Sequence, residues 1–186
     1  MSTARLTTTS YVVLGLIGLR GPSTSYDLKR AVGHSVGYFW PFPHAQLYSE
    51  PRRLVDAGLL DVTSEEQGRR RQTFTLTDAG RKALQEWLRE PVTEPMQVRD
   101  VAELKLFFGE LASEEDMRAL AREQVRQHSE RIAVYEEMRS RFGGIDEVRA
   151  RLVPLRLGLA MERAAVSFWA ELAEELEEAA ADGAGS

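Results

Sequence analysis

The chain has 186 residues, of which 43% are apolar and 28% are charged. This composition is typical of a globular protein with one large or two small domains. The absence of cysteine excludes disulfides, thiolate nucleophiles and cysteine-ligated metal sites. The longest apolar run, residues 11–19, is shorter than the ~20 residues that span a bilayer. Leu19 and Arg20 after it do not form the small-residue cleavage site of a signal peptide. We therefore expect a cytoplasmic protein.

The net charge of −5 is unevenly distributed along the chain. Residues 1–90 carry a net charge of +3, whereas residues 91–186 carry −8. Such asymmetry is expected if the first half meets a polyanion and the second half meets protein and solvent. The alternative is a chance distribution of charge.

Turn signals and hydrophobic periodicity divide the first half into four helices and two short strands. Thr9 or Ser10 can cap the first helix, and Ser25 can cap the second. Gly58 is expected to end the third helix. The elements in chain order are helices over residues 11–19, 26–32 and 44–57, strands over 59–63 and 72–76, and a helix over 79–90 that Thr77 and Asp78 cap.

This order of elements is that of a winged helix-turn-helix, in which the third helix enters the major groove of DNA. On the third predicted helix, Arg52 and Arg53 are candidates for contacts with phosphates or guanine edges. Gln46 and Ser49 are candidates for contacts with base edges. The alternative for each of them is an ordinary solvated helix face.

The predicted hairpin forms the wing of this motif. Arg69, Arg70 and Arg71 lie at its tip, where cationic side chains can meet a polyanion without burial of charge. We expect them to anchor the protein to the DNA backbone in a salt-dependent manner. The alternative is a hairpin tip that only improves solubility.

Five short motifs lie in the third helix, the hairpin and the start of the fourth helix. They are Leu47-Tyr48, Arg52-Arg53-Leu54, Gly58-Leu59-Leu60, the basic-aromatic run from Gly68 to Phe74, and Leu76-Thr77-Asp78-Ala79-Gly80. With these motifs the chain resembles the PadR family of transcriptional regulators. The segments over residues 25–28 and 98–109 are also similar to that family, so the resemblance covers most of the chain.

The resemblance implies that Ser25, Tyr26 and Tyr48 belong to the DNA-binding surface, with both tyrosines approaching the backbone. From the residues alone, the two tyrosines could equally be core aromatics with a satisfied hydroxyl. Ser49 and Pro51 depart from the family pattern, which has a proline at the first position and an apolar helical residue at the second. We expect Pro51 to bend or distort the third helix.

The second half is almost entirely helical by pattern, and two of its helices carry apolar seams in a heptad rhythm. Such seams need partner helices, either in the same subunit or in a second copy. Because DNA half-sites are related by a two-fold axis, we predict a homodimer. The residues predicted to mediate dimerisation are Val125, Ile132, Leu155, Leu159, Val166, Trp169 and Leu176.

Polar residues interrupt both seams, His128 in the first and Glu162 in the second. They are expected to set the helix register or to face outward at the seam edge, and a pH-sensing role is the alternative. Pro154 is expected to kink or restart the last helix.

Control by a small molecule is a further hypothesis, because PadR-like proteins commonly respond to phenolic or drug-like molecules. A pocket between the two halves could be formed by Trp40, Trp87, Phe107 or Trp169. The alternative is that these aromatic side chains belong to the protein core.

Catalysis is not expected. His34, His44 and His128 are scattered, and no nucleophile elbow, phosphate-binding glycine loop or dinucleotide fingerprint is present. We predict no enzyme, no cofactor and no metal site.

The sequence thus predicts a mainly α protein with a small β-hairpin wing. A winged helix-turn-helix DNA-binding domain occupies residues 1–92, antiparallel coiled-coil-like helices that dimerise occupy residues 93–180, and a disordered tail occupies residues 181–186. The predicted function is that of a sequence-specific DNA-binding transcriptional regulator, a ligand-responsive repressor that acts as a homodimer on double-stranded DNA. The alternative is a winged-helix protein-interaction module that assembles a complex through its helical half.

Overall fold

A computed structural model describes residues 5–40, 45–65 and 71–183, with side chains up to residue 181. The chain divides into two compact units, residues 1–95 and 96–186. Among the described residues, no helix has the length and apolarity that crossing a membrane requires.

The first unit contains four helices and a two-stranded antiparallel sheet, as the sequence predicts. Its elements are α1 (Thr8–Arg20), α2 (Ser25–Gly33), a 3₁₀ turn (Val36–Tyr38), α3 (Gln46–Asp56), β1 (Leu60–Ser64), β2 (Gln72–Leu76) and α4 (Asp78–Arg89). Gly58 follows α3 with a φ of 71°, a left-handed conformation that glycine adopts without strain. The predicted end of α3 is therefore confirmed.

The caps of the first two helices differ from the prediction. The N-cap of α1 is Thr7, not Thr9 or Ser10, because Thr7 and Ser10 form a reciprocal capping box. The N-cap of α2 is Thr24, not Ser25, because Thr24 pairs in the same way with Asp27. In both helices, the capping hydroxyl is the one whose residue three positions later bonds back to the N-cap backbone.

The wing is anchored at its base. β1 pairs with β2 in a register that sets Leu60 opposite Leu76 and Val62 opposite Phe74. Phe74 also exchanges two backbone hydrogen bonds with Ser23, of 2.9 and 3.0 Å. This third short segment, which the sequence pattern did not predict, ties the hairpin to the loop between α1 and α2.

The core of the first unit lies between the helices and the inner face of the hairpin. Its members are apolar and almost fully excluded from solvent, and they come from α1, α2, α3 and both strands: Val13, Leu14, Leu16, Ile17, Leu28, Ala31, Val32, Leu47, Leu54, Leu60 and Phe74. α3 is thus fixed by one apolar stripe, and its opposite face is left for other contacts.

The second unit is helical throughout its described elements, as predicted. It contains α5 (Val101–Phe107), a 3₁₀ turn (Gly109–Leu111), α6 (Glu114–Phe142), a 3₁₀ segment (Asp146–Leu152) and α7 (Val153–Gly183). Pro154 lies in the first turn of α7, where a missing N–H costs no helical hydrogen bond. The predicted restart of the last helix is therefore confirmed.

The two long helices α6 and α7 are antiparallel. Contacts pair the start of α6 with the end of α7, as between Arg118 and the Leu176 carbonyl oxygen, and its later turns with earlier ones, as between Glu136 and Arg163. The two polar seam residues meet at the middle, where His128 Nδ1 lies 2.5 Å from Glu162 Oε2. This pair satisfies both side chains and fixes the register of the helices.

Packing of α6 on α7 also uses the residues predicted to mediate dimerisation. Leu159 and Trp169 are buried within this unit. The other five, Val125, Ile132, Leu155, Val166 and Leu176, are half-buried. Their role in dimerisation stays a prediction, since a second copy could contact only the part of each side chain that remains exposed.

Gly80 marks a close approach between α4 and the segment before β1. A Cβ atom there would lie 2.1 Å from the Leu59 carbonyl oxygen and 2.9 Å from Leu76 Cδ1. We expect G80A to lower the free energy of unfolding by more than ~2 kcal/mol.

The matched control is G15A in the middle of α1, where nothing lies within 4 Å of the added Cβ. This variant should raise the free energy of unfolding by up to about 1 kcal/mol, because alanine has the higher helix propensity. Urea denaturation of the two variants measures both effects. Equal stability of the two variants would contradict the close approach.

Candidate nucleic-acid interface

α3 presents two opposite faces. Leu47, Pro51 and Leu54 are buried against the core, whereas Tyr48 and Arg52 are exposed, Tyr48 to 54%. The helix continues through Pro51, because the fixed φ of proline is helical and only the bond to the Leu47 carbonyl is lost. Pro51 therefore does not interrupt the helix, and the exposed face remains a single surface.

Ser49 and Gln46 lie beside this exposed face, both accessible to solvent. The Thr9 hydroxyl of α1 donates a 2.8 Å hydrogen bond to Gln46 Oε1. The amide nitrogen of Gln46 is the part of the side chain that this contact leaves to donate outward. Ser49, Arg52 and Gln46 thus have the positions that the sequence predicts for base or phosphate contacts.

Arg53 has a different environment from its neighbour Arg52. Its Nε and Nη2 atoms donate to the two carboxylate oxygens of Glu50, at 3.0 and 2.6 Å. Nη2 also donates to Ser10 Oγ at 2.8 Å, and Nη1 donates to the Arg5 carbonyl at 3.3 Å. Four of the five guanidinium donors are therefore used inside the protein. We name the set formed by Ser10, Glu50 and Arg53 the α1–α3 clamp.

Ser10 joins the clamp to the start of α1. Its hydroxyl is fully buried, donates to Glu50 Oε1 at 2.6 Å and accepts from the Thr7 N–H at 2.8 Å. The same hydroxyl thus completes the capping box of α1 and receives one N–H of Arg53. The Ser10 hydroxyl oxygen therefore belongs both to the capping box of α1 and to the hydrogen bonds around the Glu50–Arg53 pair of α3.

The clamp shifts the ionisation of its charged members. Hydrogen bonds from Arg53 lower the pKa of Glu50, and burial opposes this effect. The hydrogen bond to Glu50 raises the pKa of Arg53. Both groups are therefore firmly ionised near neutral pH.

On the wing, only Arg71 of the three predicted arginines falls within the described residues; Arg69 and Arg70 lie outside them. The side chain of Arg71 is exposed, and its Nη2 lies 3.5 Å from Asp27 Oδ2 on α2. Hydrogen bonds from Thr24 lower the pKa of Asp27, and Arg71 contributes to this shift. The loop end of β2, next to Arg71, and the start of α2 are thus adjacent.

Ser25 and Tyr26 lie at the same start of α2. Ser25 is half-buried and Tyr26 is 62% exposed. Exposure of both Tyr26 and Tyr48 does not fit the alternative that they are core aromatics. Arg53 is held in the α1–α3 clamp. The other described residues predicted to bind DNA lie on the solvent-accessible part of α3, at the start of α2 and at Arg71 beside β2.

The four aromatic residues predicted to bind an effector have separate environments. Trp87 stacks on Tyr11 with ring centroids 4.6 Å apart, and Trp169 is buried in the second unit. Trp40 is exposed in the first unit, and Phe107 is 80% exposed in the second. Trp169 therefore belongs to the core of the second unit, whereas Trp87 stays 38% exposed beside Tyr11. Effector binding by these residues stays a prediction.

No metal centre emerges from the described ranges, where no three His, Cys, Asp or Glu side chains lie together as ligands. His44 lies outside those ranges. His128 pairs with Glu162.

Three helices, an antiparallel hairpin and a fourth helix, with a polar face on the third helix, define a winged helix-turn-helix protein. Residues 13–86 match the transcriptional regulator PadR-like family, and residues 98–177 match the family called virulence activator alpha C-term. Residues 13–86 therefore form a PadR-like family domain, as the sequence motifs predict.

Curated relatives agree with this assignment. The negative transcriptional regulator PadR of Bacillus subtilis is 29% identical over 66% of this chain and 68% of its own length. A probable transcriptional regulator of Mycobacterium tuberculosis is 27% identical over 84% of this chain and 91% of its own length.

Solved structures share the fold along nearly the whole chain. The crystal structure of Bacillus subtilis PadR in complex with operator DNA has a TM-score of 0.83 at 24% identity, covering 91% of this chain and 99% of that chain. The Vibrio cholerae virulence activator AphA has a TM-score of 0.72 at 28% identity, covering 92% and 99%.

The α1–α3 clamp is the part of the interface that the sequence did not predict. Ser10 and Glu50 are forty residues apart in the chain, so no local pattern pairs them. The available signal was a glutamate beside the apolar stripe of α3, since a carboxylate in that position needs a buried partner.

Acid should weaken the clamp. Because the pKa of Glu50 is lower in the folded state than its ordinary value of 4.5, its contribution is complete above that value and is lost as the pH falls below it. We expect E50Q to lower the free energy of unfolding by about 1–3 kcal/mol at neutral pH. The difference from the wild type should shrink as the pH is lowered through 4.5 and below.

Denaturant titration over a pH series measures this difference. The control is E86Q, since Glu86 forms only an exposed pair with Lys82 at 3.9 Å, and its effect should stay within about 0.5 kcal/mol at every pH. A pH-independent effect of E50Q would show that the charge of Glu50 is not what stabilises the fold.

Proposed function

We propose that this protein is a sequence-specific DNA-binding transcriptional repressor that acts as a homodimer. The observation that carries the proposal is the exposed face of α3, whose opposite side is fixed to the core. A helix exposed in this way can enter the major groove. The Bacillus subtilis relative is named as a negative regulator, which supports repression.

The residues of this surface have distinct roles in the proposal. Ser49 and Gln46 read base edges, and Arg52 binds a phosphate or a guanine edge. Ser25, Tyr26 and Tyr48 contact the backbone. Arg69, Arg70 and Arg71 supply cationic anchoring from the wing.

Dimerisation is assigned to the second unit. Apolar side chains stay exposed on α5 and α7, including Phe107 at 80%, Leu157 at 65% and Phe168 at 52%. A second copy that covers such side chains removes apolar area from water. The half-buried residues predicted for dimerisation can extend this contact.

The proposal also covers effector control, location and chemistry. Since a crystal structure of Bacillus subtilis PadR is described as a complex with p-coumaric acid, a small aromatic molecule is the first effector to test. We place the protein in the cytoplasm and assign it no catalytic activity.

Binding to DNA is tested with the purified chain and the duplex upstream of its own coding region, with a scrambled duplex as competitor and salt varied. We expect specific retention by a dimer that is lost steeply as salt rises. R52A should weaken this binding and leave the dimer intact. Absence of retention at low salt would favour the protein-interaction module instead.

Neutralising the wing should act differently from changing α3. Replacement of Arg69, Arg70 and Arg71 by glutamine should weaken operator and scrambled duplexes to a similar extent and flatten the salt dependence, because phosphate contacts carry no sequence information. The control replaces the exposed Arg139, Arg149 and Arg151 of the second unit by glutamine. An unaltered salt dependence in the wing variant would remove the wing from the interface.

A further inference from the structure

Adjacent arginines on α3 have opposite environments, although the sequence makes them look equivalent. Arg52 is exposed, and the part of the chain that the structure describes provides it with no ion pair. Arg53 is engaged by Glu50, Ser10 and the Arg5 carbonyl. One side chain is available to a phosphate, and the other is held within the clamp.

The clamp belongs to a face of α3 that differs from the exposed one. Gln46, Glu50 and Arg53 follow each other at intervals of about one helical turn, so they share a face. Each of them contacts the first turn of α1: Gln46 through Thr9 at 2.8 Å, and Glu50 and Arg53 through Ser10 at 2.6 and 2.8 Å. This face therefore sets the position of α3 relative to α1.

Transfer of Arg53 to a phosphate would be unfavourable. The Glu50 side chain is only 11% exposed, and a buried carboxylate that loses its cation is strongly destabilised. The Ser10 hydroxyl, which also completes the capping box of α1, would lose the hydrogen bond from Arg53. Arg53 thus gains little by leaving the clamp.

We infer that Glu50 and Arg53 are positioning residues for DNA recognition: they hold α3 at the angle at which Gln46, Ser49 and Arg52 reach the bases, and Arg53 binds no phosphate. The inference rests on the proposed DNA binding. It predicts that loss of the clamp lowers the discrimination between operator and scrambled DNA and leaves the number of phosphate contacts unchanged.

The experiment compares R53M with R52M, two variants that remove the same charge from neighbouring positions. Affinity for operator and scrambled duplexes is measured over a KCl series. We expect R52M to reduce the slope of log affinity against log salt by about 0.9, the value of one phosphate contact. R53M should keep the wild-type slope and lose about tenfold in the ratio of operator to scrambled affinity.

A third variant separates charge from geometry. R53K keeps a cation that can bind a phosphate, but lysine cannot make the two-pronged contact with Glu50. We expect R53K to lose specificity with an unchanged salt slope, as R53M does. An R53K variant that binds like the wild type, or an R53M variant whose slope falls as in R52M with specificity retained, would overturn the inference.

Stability gives a readout that does not need DNA. R53M should unfold at a clearly lower urea concentration than R52M, because only Arg53 has buried partners; equal midpoints would also overturn the inference. If the wild-type chain shows no specific binding, the proposed function fails, and the urea midpoints still decide whether Arg53 belongs to the clamp. If R53M does not fold, R53K and E50Q provide the same comparison of slope and specificity.

Discussion

The hydroxyl of Ser10 is the point on which the arrangement of the first unit depends. It is fully buried, and it contacts the Thr7 N–H, Glu50 and Arg53. A buried polar atom is tolerated only when its hydrogen bonds are satisfied, so burial of this hydroxyl requires the start of α1 and the middle of α3 to be in place together. The apolar core brings the two helices together, and this network selects one angle between them.

The second unit also combines apolar packing with a polar contact that fixes geometry. Apolar seams supply most of the contact between α6 and α7, while the pair formed by His128 and Glu162 meets at one position along the helices. Hydrophobic seams with a heptad rhythm tolerate shifts in register, whereas a partly buried polar pair such as this one does not. In both units, apolar area provides stability and a polar pair provides a unique geometry.

The sequence predicted the elements well because their signals are local. Gly58, the cap before α4 and the heptad rhythm each act within one or two turns of chain. It could not tell Arg52 from Arg53, since that difference depends on where α1 lies in space. It also could not say whether a seam is closed within one subunit or between two, because the rhythm is the same in both cases. Leu159 and Trp169, which the sequence assigned to the dimer contact, are buried within their own unit.

The attachment of Phe74 to Ser23 has a consequence for the evolution of the wing. A two-stranded hairpin is marginally stable alone, but here the base of the hairpin is held by a third backbone segment and by the buried side chains of Leu60 and Phe74. The wing is therefore attached to the first unit through its two strands. Substitutions between the two strands can therefore change the charge of the wing, and with it the proposed anchoring to the DNA backbone, without loss of these core contacts.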